Sequence, residues 1–158
     1  MTSTLLRALR RTASAVLLLA FTTLSPAAVT DFEKHANGLA IYMGVVPAQL
    51  LRGNADASHL ATMQGGLPSG SGSHHLVIAI YDEPTQRQVE GADVVATVTP
   101  LGPGTTRRKL HPMQIGTSAT YGNFFPMSGS GPYTVQVTIH VPGQARNTEV
   151  QFNYSHPQ

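Results

Sequence analysis

From Leu39 to Tyr154 the apolar residues come in short runs with a period of two, and glycine or proline cuts off each run. An amphipathic helix needs a period near 3.6, and past residue 38 no stretch carries one. The pattern instead predicts strands over 39–46 (LAIYMGVV), 75–82 (HLVIAIYD) and 93–99 (DVVATVT). A short strand over 107–115, interrupted by Pro112, belongs on an edge. Residues 117–125, 133–141 (YTVQVTIHV) and 148–154 (TEVQFNY) complete the set. The expected architecture is all-β: an antiparallel, immunoglobulin-like β-sandwich of about seven strands. Its core should contain Leu76, Ile78 and Ile80 from one strand and Tyr133, Val135, Val137 and Ile139 from another.

The chain has no cysteine, so no disulfide can support this fold. That matters because the N-terminus reads as an export signal. Arg7, Arg10 and Arg11 precede an uncharged apolar run over 13–24, and Ser25-Pro26-Ala27 offers small residues to a signal peptidase. The run is shorter than the roughly 20 residues that span a bilayer. We therefore expect a signal peptide over 1–27 and one domain over 28–158, exported to the periplasm. Cleavage removes three basic residues and leaves seven against eight acids, a net charge of −1. The one basic cluster left, Arg107-Arg108-Lys109, is too small for nucleic-acid binding, which needs a broad basic face.

Residues 51–74 form a long loop whose second half is rich in glycine and serine. Loops of this length are uncommon in compact domains, and are either functional or flexible. No phosphate-cradling motif is present here. Enzyme signatures are missing as well: there is no cysteine nucleophile, no GxSxG, no HExxH and no paired carboxylates in a motif. Catalysis is not expected.

What the chain does carry is imidazole and thioether. Past the signal there are seven histidines and the methionines Met43, Met63, Met113 and Met127. Imidazole suits copper, zinc, iron and nickel, and thioether sulfur selects Cu(I). Strand alternation sets His140 on the polar face of its strand. It turns His75 away from the core-facing Leu76, Ile78 and Ile80, and gives His111 and Met113 one shared face. A methionine beside a histidine on an edge segment is hard to explain by core packing.

Five short motifs then appear in order: Asn37-Gly38-Leu39, His59, His111-Pro112-Met113, Tyr121-Gly122-Asn123, and Gly131-Pro132-Tyr133 leading to His140. In this the chain resembles the periplasmic iron-transport-associated family of bacteria, immunoglobulin-like proteins that bind copper and iron and assist an inner-membrane iron permease. The resemblance implies copper ligands at His59, Met113 and His140, an inner-membrane iron permease as partner, and a homodimer. Two positions depart from the family pattern. Thr120 stands where the family has a ligand histidine before its Tyr-Gly pair, and Ala61 stands where it has an acid implicated in iron. Met63 or His111 is then the expected source of the missing donor. The expectation is thus a periplasmic protein binding copper, and iron as a second metal, for metal uptake or handling. The alternative is a metal-free immunoglobulin-like domain that binds another envelope protein.

Overall fold

A computed structural model of the chain describes residues 31–51, 66, 68 and 71–156. The expected signal segment and the loop residues His59 and Met63 lie outside the described residues. Among the described residues there are nine strands, one 3-10 turn (Ala48–Leu51) and no α-helix. The strands are β1 (Glu33–Ala36), β2 (Leu39–Pro47), β3 (Ser73–Asp82), β4 (Arg87–Gln88), β5 (Asp93–Pro100), β6 (Thr106–Ile115), β7 (Ser118–Pro126), β8 (Tyr133–His140) and β9 (Thr148–Tyr154).

Their order across the sheet is β1-β2-β3-β7-β6-β5-β8-β9, with β4 pairing β3. All pairings are antiparallel. The two ends of this path nearly meet. Asp31 N donates to the Asn153 carbonyl at 3.2 Å, and Asn37 Nδ2 donates to Thr148 Oγ1 at 3.1 Å. The all-β, antiparallel expectation therefore holds, but about seven strands in a sandwich becomes nine strands in one nearly closed sheet.

The reason lies in β6. Its first half, 106–110, pairs with β5, and its second half, 111–115, pairs with β7. One strand thereby joins what would otherwise be two separate sheets. Pro112 does not interrupt it. The proline falls in the half that has a partner on one side only, where a missing N–H is tolerated.

Strand β8 shows how the alternation becomes packing. Tyr133, Val135, Val137 and Ile139 are buried, and the residues between them are half-buried or exposed. Leu76, Ile78 and Ile80 of β3 join them in one hydrophobic core. Burial of each such aliphatic side chain contributes about 1.5–3 kcal/mol. Strand β7 departs from this rule. Its residues 120–125 are buried without a break, so β7 is covered on both faces, as a half-solvated strand is not.

Candidate metal centre

The doubly covered part of β7 is where the chemistry gathers. In β6, Leu110 faces the core, so Lys109, His111 and Met113 face outward. The two-residue turn Gly116-Thr117 fixes the register between β6 and β7, setting Met113 opposite Thr120 and His111 opposite Gly122. On the other side of β7, Val77 of β3 lies opposite Gly122 and His75 lies opposite Phe124. His75, Gly122, Phe124, Thr120, His111 and Met113 therefore share one outer face.

That face is not open. Met113 is 8% exposed and His75 3%. The edge position expected for Met113 is real, but its exposure is not. Gly122 explains how two large side chains fit there. A Cβ on Gly122 would lie 2.6 Å from Met113 Sδ and 2.8 Å from His75 Nε2. The thioether and the imidazole both lean into the space that this glycine leaves empty. The His75 ring stacks on Phe124, with centroids 4.7 Å apart and planes at 38°. Its Nε2 is buried and has no hydrogen-bond partner. Burial pushes the His75 pKa down to about 4, so the ring is neutral at physiological pH.

The surrounding polar groups are accounted for. Thr120 Oγ1 donates to the Met113 carbonyl at 3.3 Å. Asn123 Nδ2 donates to the Lys109 carbonyl at 2.7 Å, close to where β6 changes partners. Lys109 Nζ reaches Asp93 Oδ1 at 2.5 Å, and this contact holds the Asp93 carboxyl below its ordinary pKa.

The sequence-derived candidates fall into three groups. His59 and Met63 lie outside the described residues. His111 and Met113 stand two residues apart on the same outer face of β6, and His111 is half-buried. His140 is opposite Asp93 and so also faces outward, but β5 lies between its strand and β6. At ordinary strand spacing that is about 10 Å across the sheet. Its ring is exposed, and Nδ1 contacts Asn147 Oδ1 at 3.1 Å. His140 is therefore not brought to Met113 within the described residues.

His75 was missing from the candidates. Alternation gave its face correctly, but only the long-range pairing of β3 with β7 shows that this face is buried. Among the described residues no three His, Asp or Glu side chains gather as a metal site. The convergence seen is of one imidazole and one thioether, a donor pair that fits copper better than a hard cation.

In sequence, the chain matches no protein-family model and no curated protein. Solved structures do match it. A DUF4426 family protein of Pseudomonas aeruginosa is 14% identical, with a TM-score of 0.62 over 78% of this chain and 92% of that one. A copper-bound variant of FetP from uropathogenic Escherichia coli is 15% identical, with a TM-score of 0.59 over 78% and 93%. Copper-reconstituted P19 of Campylobacter jejuni is 16% identical, with a TM-score of 0.59 over 80% and 94%. At these identities the likeness is one of fold, and it agrees with the resemblance read from the motifs: the chain has the fold of the copper-bound FetP and P19 structures.

Proposed function

We propose that this protein is an exported, periplasmic copper-binding protein that serves metal uptake or handling. The observation that carries the reading is Met113, a thioether held on the buried outer face of β6 beside an imidazole. A polarizable methionine is a common gap-filler in cores, but this one lies outside the core cluster and at the position that the family resemblance gives to a copper ligand. Thioether sulfur favours Cu(I). The resemblance adds His59 and His140 as imidazole ligands, but His140 stands two strand spacings, about 10 Å, from β6, so His59 is the one that this reading keeps beside Met113. Iron has weaker support, because Ala61 replaces the acid associated with it. An inner-membrane iron permease as partner and a homodimer remain part of this reading through the resemblance alone.

The test is anaerobic Cu(I) titration of tag-free protein against a chromophoric competing chelator. Wild type should bind copper and Met113→Leu should lose at least ten-fold in affinity. A wild-type protein that takes up no copper would leave the envelope interaction domain as the better account.

A further inference from the structure

We propose that the outer face of β1, β2 and β3 carries a ligand site of its own, a cleft between Tyr42 and Tyr81 that binds a small organic cation bearing a guanidinium group. The inference does not depend on copper. Strands β3 and β7 lie between β2 and β6, so Tyr42 stands three strand spacings, about 14 Å or more, from Met113.

The cleft follows from the alternation in β2. Leu39, Ile41 and Met43 enter the core, so Ala40 and Tyr42 face outward. Ala40 lies opposite Tyr81, and Tyr42 lies opposite Ala79. Large and small side chains thus form a checkerboard, in which two alanines leave a floor and two rings wall it. The ring centroids are 5.8 Å apart and the planes meet at 84°. The cavity measures about 700 Å³, inside the range of about 300–1,000 Å³ that small ligands occupy. Tyr42 is 40% exposed, one of the few large aromatic side chains left open to solvent.

Strand β1 supplies the charge. Glu33 lies opposite Tyr42 and His35 opposite Ala40. His35 Nε2 meets Glu33 Oε1 at 3.0 Å, and its Nδ1 contacts Glu83. Two carboxylates against one imidazole leave the cleft negative, and Lys34, the next cation along β1, is paired with Asp31. The same field raises the pKa of the Tyr42 hydroxyl, chiefly through Glu33, and that of His35, chiefly through Glu83. The walls are set before any ligand arrives. Glu83 N donates to the Gly38 carbonyl at 2.9 Å. Gln88 Nε2 donates to the Tyr81 hydroxyl at 2.9 Å, and Ala119 N donates to Gln88 Oε1 at 2.8 Å. Such support lowers the cost of ordering a site around its ligand.

The chemistry selects the occupant. Aromatic faces attract cations, guanidinium groups above all. A guanidinium is flat enough to lie along a ring, and its fork matches a carboxylate with two parallel hydrogen bonds. A bare metal ion would make no use of the rings, and among the described residues no three His, Asp or Glu side chains gather to hold one. Neutral and anionic molecules gain nothing from Glu33 and Glu83.

The probe is N-acetyl-arginine amide, titrated into the metal-free protein by calorimetry and by NMR of the tyrosine rings. Its uncharged isostere, N-acetyl-citrulline amide, is the control. The arginine probe should bind with a Kd below about 1 mM and shift the Tyr42 and Tyr81 ring signals, whereas the citrulline control should bind at least ten-fold more weakly. Tyr42→Ser and Glu83→Gln should each weaken the probe at least five-fold. His35→Gln removes the resident cation and should tighten it. Equal binding of the two probes would overturn the proposal, because charge would then play no part. So would ring signals that stay still up to about 10 mM probe. Light scattering covers the remaining occupant: if wild type ignores the probe and Tyr42→Ser turns a dimer into a monomer, the cleft is a contact between copies of this chain and not a ligand site.

Discussion

His74 and His75 are adjacent in β3, both are buried, and burial lowers the pKa of both. Their surroundings nevertheless differ in kind. His74 faces inward. Its ring stacks on His156 at 4.3 Å between centroids, and its Nδ1 contacts the Gly72 carbonyl at 3.4 Å. His156 in turn meets the Met127 carbonyl at 3.0 Å and the Tyr154 hydroxyl at 3.1 Å. In this group both ring nitrogens of His156 and Nδ1 of His74 have a partner. His75 faces outward onto Met113 and Gly122, and its Nε2 is matched by nothing. Burial alone therefore does not describe a histidine's surroundings. What distinguishes the two rings is that His75 holds a buried nitrogen with no partner.

The largest expected consequence is a pH dependence of the copper-free protein. The folded-state pKa of His75 is depressed to about 4, below the ordinary value of 6.5. Between those values the unfolded chain binds a proton that the folded chain does not. Stability therefore falls as pH drops from about 6.5 to about 4, by up to about 3 kcal/mol from this group. His74 adds to the fall in the same direction. His35 acts oppositely: its pKa is raised, chiefly by its contact with Glu83, so its contribution is complete below 6.5 and is lost as pH rises. Urea titrations across this range should show the loss in wild type and most of it gone in His75→Phe. If His75→Phe keeps the full slope, His74 and the carboxylates carry it and the contrast between the two rings is weaker than drawn.

How much of this was legible beforehand differs between fold and site. Seven of the strands were readable with bounds close to those observed, because each is an alternating run closed by a turn residue. β1 was missed because Glu33–Ala36 is polar and barely buried, although Asn37-Gly38, both at positive φ, is the kind of hairpin signal that would have revealed it. β4 has only two residues and no pattern to read. Near-closure was not readable, because it depends on β6 changing partners midway, and no local rule predicts that. For the site, the motif pointed to Met113 and alternation gave His75 its face. Their meeting over Gly122 required the β3–β7 and β6–β7 registers, which are long-range facts.

The next effect concerns Gly122. Adding a methyl there places a carbon 2.6 Å from Met113 Sδ and 2.8 Å from His75 Nε2. The methionine can swing aside, but the imidazole is held by Phe124. Gly122→Ala should therefore destabilise the protein by about 2 kcal/mol, within the range of overpacked sites. Chemical denaturation would measure it, and copper affinity should fall in parallel because the Met113 thioether is displaced. A variant as stable as wild type would mean that the hollow is looser than the distances indicate.

The smallest effect is the sharpest, because its sign separates the two histidines. Replacing His75 by Phe removes a buried nitrogen that has no partner and keeps the ring on Phe124. Relief of that penalty should stabilise the copper-free protein by about 1 kcal/mol. Replacing His74 by Phe removes a contact to the Gly72 carbonyl and relieves no unmatched nitrogen, so it should be neutral or destabilising by about 1 kcal/mol. Thermal unfolding of the two variants beside wild type at pH 7.5, where both rings are neutral, makes the comparison without interference from protonation. If His75→Phe is instead destabilising, its Nε2 has a partner in solution, and the distinction between the two neighbouring histidines falls.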